Sequence, residues 1–145
     1  MNIYFYVLLS QTIFAAWFFI IHFIPLPPLN DIDKFPNAPR WKRTLLINWF
    51  VLVLLIIGYA LGNFYIKLIL ILMLCLFMFG HINTWWLPYL FGWPKVFIDS
   101  VEIDHKCTIR FLPSWGNRPV PDLAYCILGL TGLIALIFSI VDLVN

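Results

Sequence analysis

The side chains best suited to bind a metal or haem in this sequence are His22, His81, His105 and Cys107. Imidazole and thiolate are strong ligands for zinc and other transition metals. Cys107 stands two residues after His105, so on an extended strand both would face the same way. No recognised ligand spacing joins the four, and interfacial histidines commonly serve as plain hydrogen-bonding groups. The expectation is therefore that no cofactor is bound. The remaining cysteines, Cys75 and Cys126, fall inside apolar runs, and no C-x-x-C pair is present. A disulfide framework is not indicated, and redox exchange through a vicinal cysteine pair has no residues to run it.

Asp99, Glu102, Asp104, His105 and Asp122 offer carboxylates and an imidazole for acid–base work, with Ser100 and Ser114 as candidate nucleophiles. Neither serine sits in a G-x-S-x-G or another activating context, so these groups read as solvated loop residues. Inside the apolar runs, Gln11 and Asn48 could line a polar path. No charged residue lies near the middle of such a run, which argues against an ion-coupled carrier. The plainer role for Gln11 and Asn48 is hydrogen bonding between helices, worth about 0.6 kcal/mol per contact in membranes.

The elements that must position these groups follow from composition. Of the 145 residues, 63% are hydrophobic and 11% charged, and mean hydropathy is +0.93. Soluble domains carry roughly a quarter charged residues, and a small fold exposes much of its surface, so lipid is the natural solvent. Residues 3–24 form an uncharged run that as a helix reaches about 33 Å, enough for a hydrocarbon core of ~30 Å. No Lys or Arg precedes it and it exceeds a signal-peptide core, so it reads as a permanent span. Pro25, Pro27 and Pro28 end it. Further spans are expected over residues 44–61, 64–80 and 123–144, the middle two joined tightly at Gly62-Asn63. The fold class is thus an all-α bundle of four transmembrane helices forming a single integral membrane domain.

Lys34, Arg40, Lys42 and Arg43 lie in the loop 25–43, and Lys95, Lys106, Arg110 and Arg118 in the loop 81–122. Only Lys67 lies on the other side, where its long chain can snorkel to the interface. This bias places both loops in the cytoplasm and both termini outside, in a plasma (inner) membrane. Trp85, Trp86, Tyr89, Trp93, Arg110, Trp115 and Arg118 then gather at the cytoplasmic interface, with Trp41 beside them. His22 and His81 fall at the same depth. The apolar start of the second loop, interrupted by Pro88, Gly92 and Pro94, is expected to lie in the interface plane or re-enter shallowly. Residues 101–111 alternate apolar and polar, which suits a strand, with an amphipathic helix as the competing reading.

Gly58 and Gly62 form a G-x-x-x-G, and Gly129 and Gly132 add small residues on the last span. Such residues let helices approach closely in lipid, within one bundle or between copies. The net charge of +2 gives no reason to expect nucleic acid. The function expected is that of a non-enzymatic subunit, sensor, anchor or effector. It would act through self-association or a larger protein partner at its cytoplasmic face, in contact with the lipid bilayer. The alternatives are an oligomeric channel or small-solute transporter, and a membrane enzyme using the inner-leaflet histidines and cysteine.

Overall fold

The computed structural model describes residues 2–30, 38–96, 98 and 108–145, with the backbone alone over 38–43. Four long helices dominate: α1 (Ile3–Phe23), α2 (Ala38–Ala60), α3 (Phe64–His81) and α5 (Leu123–Val144). Three of the helical rods are long and apolar enough to cross a membrane, and the described part of α2, Thr44–Ala60, is a shorter apolar helix. No strand occurs among the described residues. Each long helix packs on two others, so they close a ring in the order α1, α2, α3, α5.

Two elements differ in extent from the sequence reading. The second helix starts at Ala38 rather than Thr44. Pro39 falls in its first turn, where an N–H is not needed, and the basic residues that follow are good helix formers. Hydropathy marks where a helix becomes apolar, not where it begins. After α3 the chain does not leave the rod either: it passes through a π-helical turn (Ile82–Trp86) into α4 (Leu87–Phe91). Pro88 is tolerated because it stands in the first turn of α4. Gly92, at φ +70°, closes α4 in a left-handed conformation that glycine adopts freely. Of the expected strand at 101–111, residues 101–107 lie outside the described residues, and 108–111 form no strand.

Helix ends are satisfied locally. Asn2, Asn63 and Asp122 each accept a hydrogen bond from a backbone N–H in the first turn of α1, α3 and α5. At the far end of α1, the Asn30 amide donates to the Ile21 and Ile24 carbonyls at 3.2 and 2.9 Å, and its oxygen accepts from Leu26 N–H. The segment before α5 is tied back by Ile109, whose N–H donates to Pro28 and whose carbonyl accepts from Leu123.

The inward faces are narrow and built of small or polar residues as much as large apolar ones. α1 buries Val7, Ser10, Gln11, Phe14, Ala15, Phe18, Ile21 and His22, a run with helical spacing. α5 answers with Ala124, Leu128, Gly129, Gly132, Ala135 and Ser139. The outward faces carry Leu46, Phe50, Leu54, Leu72, Leu76, Phe79, Leu130 and Ile137, all exposed. A soluble monomer does not leave so continuous an apolar jacket in water.

Side-chain hydrogen bonds join the helices. Trp17 Nε1 donates to the Ala124 carbonyl and Trp49 Nε1 to the Ala15 carbonyl, both at 3.0 Å. Gln11 donates to Ser139 at 2.9 Å. At the end carrying the termini, Lys67 pairs with Asp142 at 2.8 Å, and Asp142 also accepts from Tyr59 at 2.6 Å. The ammonium lies 4.8 Å from the Tyr59 ring centre and 5.8 Å from that of Tyr4. Lys67 is therefore turned inward to a partner rather than snorkelling. Replacing one member leaves an uncompensated charge among apolar neighbours. Lys67→Met should lose about 2–4 kcal/mol of stability, with most of it recovered on adding Asp142→Leu. Thermal unfolding of the purified single and double variants tests this; equal losses in both would show that the pair contributes no specific coupling.

Candidate functional site

At the opposite end of the bundle the helices part around a cleft of about 500 Å³. All four long helices contribute. Phe14, Phe18 and His22 come from α1, and Leu45, Asn48 and Leu52 from α2. Residues of α3 from Met73 to His81 form the opposite wall, continued by Thr84 and Trp85 of the π turn and by Tyr125 and Leu128 of α5. Its floor residues Phe14, Leu74, His81 and Leu128 are buried, whereas Asn48, Leu76 and Gly80 are exposed. The mouth thus lies between α2 and α3. These two helices are in close contact at the hairpin end, where a Cβ on Gly58 would lie 2.6 Å from Ile66.

His22 and His81 both line this cleft, in different states. His22 Nδ1 lies 2.7 Å from the Phe18 carbonyl, an acceptor that only an N–H can satisfy. Nε2 then keeps its lone pair and accepts from the Tyr125 hydroxyl at 3.3 Å. Tyr125 stacks on Trp85 with ring centres 4.4 Å apart. His81 is only 6% exposed, and its Nε2 is buried without a hydrogen-bond partner among the described residues. Asn48, on the rim, has no hydrogen bond among those residues either. Leaving a buried polar group such as the His81 imidazole unpaired costs roughly 1–3 kcal/mol. A π turn immediately beyond His81 is a second local departure, of a kind that clusters at functional sites.

The structure separates other residues that the sequence put side by side. Gln11 is buried on the α1–α5 seam and does not line the cleft, so it shares no surface with Asn48. Gly58 packs on Ile66 within the hairpin, while Gly62 (φ +77°) makes its turn. Gly129 faces His81, and Gly132 faces Phe77 and Phe14. Of the interface group, Trp85 and Tyr89 are buried, and the Tyr89 hydroxyl donates to the Pro113 carbonyl at 3.0 Å. Trp115 stacks on Tyr89 at 5.4 Å, and Trp86 meets the Tyr89 ring edge-on. Arg118 donates to the Leu90 carbonyl, while Trp93 is 62% exposed and Arg110 lies at the surface. His105 and Cys107 lie outside the described residues. Among the described ones, no group of three potential metal ligands occurs. Thr84 and Tyr125 were not singled out from sequence, because nothing in their spacing marks a shared wall.

No family model, no curated protein and no solved structure matches this chain.

The room for His81 depends on one missing side chain. A Cβ at Gly129 would lie 2.3 Å from His81 Nε2, so the imidazole must move. Gly129→Ala is expected to destabilise by about 1–3 kcal/mol. His81→Ala in the same chain should remove that clash and restore part of the loss. Thermal unfolding of the two single variants and the double variant measures this coupling, and strict additivity would mean that the two residues do not meet.

Proposed function

We propose that this chain is an integral membrane protein of four spans that works as a non-enzymatic binding subunit or sensor. Its working site is the cleft between α2 and α3, which takes up a small lipophilic molecule from the bilayer. One observation carries the reading: two polar side chains without hydrogen-bond partners among the described residues, His81 and Asn48, border a largely apolar cleft of about 500 Å³. In hydrocarbon such groups are costly and usually mark a ligand or transport path. The volume falls in the range of about 300–1,000 Å³ typical of small-molecule sites. A pore through the chain is less well supported, since Gln11 is engaged with Ser139 away from Asn48.

The distribution of Lys and Arg supports placing the loop end, and with it the cleft, in the inner leaflet. A larger partner or a second copy would then meet the protein through the cytoplasmic loops, where Trp93 and Trp115 are exposed. A reporter fused after Asn145 should be active only outside the cytoplasm; activity inside would reverse the orientation.

Occupancy is tested with Gly80→Leu. Gly80 lines the cleft at its exposed mouth, and a Cβ there meets no atom within 4 Å, so a leucine narrows the mouth without disturbing the packing. Native mass spectrometry of the gently extracted protein should show a bound lipophile on the parent chain that is absent from the variant. Identical spectra would argue against the cleft as the site.

A further inference from the structure

Resting on the cleft as a binding site, we infer that its ligand is an uncharged lipophile with a flat, carbonyl-bearing ring and an apolar tail, the chemistry of a quinone. Three features of the lining point this way. First, no Lys, Arg, Asp or Glu is among the described lining residues, so nothing there compensates the charge of an acid or phosphate head. Burying an unpaired charge in such a site is prohibitive, whereas a neutral head needs only hydrogen bonds.

Second, the lining is rich in rings. Phe14 and Phe77 meet edge to face at 4.9 Å, and Trp85 lies stacked on Tyr125 at 4.4 Å. The His81 ring lies nearly parallel to Phe77, with centres 5.7 Å apart. Aromatic walls suit a planar unsaturated head through offset and edge contacts better than they suit a saturated chain.

Third, the unused polar capacity is split across the cleft. His81 lies on the buried floor with its Nε2 against Gly129, so that only its other ring nitrogen can meet a ligand, and Asn48 lies on the exposed rim. A neutral imidazole brings one N–H, and a carboxamide brings two. A ring with carbonyl oxygens on opposite edges can accept from both at once, one deep and one shallow. A glyceride, whose polar atoms gather at one end, cannot. The tail leaves by the mouth between α2 and α3, toward the apolar jacket. The inference concerns binding alone, with no electron transfer to or from this chain.

The test uses the full chain in lipid nanodiscs, with decylubiquinone, monoolein and oleate as probes, read by native mass spectrometry and titration calorimetry. Decylubiquinone is expected to bind once per chain and at least about tenfold more tightly than either of the others. Asn48→Leu should weaken it about tenfold, the scale of one hydrogen bond. Because Asn48 is exposed on an apolar helix, that change should not impair folding. Gly80→Leu should abolish binding. If monoolein or oleate binds as well as the quinone, or Asn48→Leu leaves quinone affinity unchanged, the ligand class is wrong while the cleft stands. If no probe binds in a way that Gly80→Leu removes, both the class and the site are wrong.

Discussion

The ion pair between Lys67 and Asp142 is the point at which all four long helices meet. Lys67 stands on α3 and Asp142 on α5, Tyr59 of α2 donates to the same carboxylate, and Tyr4 of α1 stacks on Tyr59 at 6.3 Å. The Tyr4 hydroxyl also donates to the last carbonyl of α2, Ala60, at 2.6 Å. A charge pair with side-chain exposures of 19% and 9% is held less by its own attraction than by the cost of separating it among apolar neighbours. That cost orients the hairpin of α2 and α3 against α1 and α5. Everything farther along the bundle inherits this alignment.

From there α5 sets how near the other helices can come. Its inward face offers hydrogen atoms instead of side chains at Gly129 and Gly132, and the space is taken by His81, Phe77 and Phe14. The two α3 residues in that group both line the cleft, so the glycines of one helix determine the position of the opposite wall. In the proposed lipid setting no hydrophobic effect draws such helices together, and close packing with a few hydrogen bonds must suffice. The donors Trp17, Trp49 and Gln11 supply those bonds on the α1 side of the ring. The cleft opens where they are lacking, between the start of α2 and the end of α3.

The helical class was legible because uncharged runs of spanning length have few other outcomes. The inward faces were legible too, in an unfamiliar key. The spans of α1 and α5 are apolar on nearly every face, so burial is marked as much by small and polar residues such as Ser10, Gln11, Gly132 and Ser139 as by hydrophobicity. Hydropathy placed His22 and His81 at one depth, and the structure puts both on one cleft. It could not show that His22 is satisfied while His81 Nε2 has no partner among the described residues, since the partner of His22 is Tyr125, 103 positions away. The continuation of α3 to Phe91 was hidden for a local reason. Pro88 and Gly92 read as interruptions, yet one occupies a first turn and the other a cap, the two places where a helix accepts them. Lys67 and Asp142 each stand near the same end of the bundle, and opposite charges at matching depth were the available signal for their pairing.

A bundle clasped at one end and parted at the other has leverage. Helix α2 runs 23 residues from Ala38 to Ala60, about 35 Å, with its clasped end at Tyr59 and Ala60. A tilt of about five degrees about that end displaces the other by about 3 Å, close to the rise of two helical residues. The displaced end is the one that carries the basic segment around Arg40 and Lys42. Small changes in how far the walls of the cleft stand apart are therefore magnified at the start of α2, where the sequence gathers its basic residues.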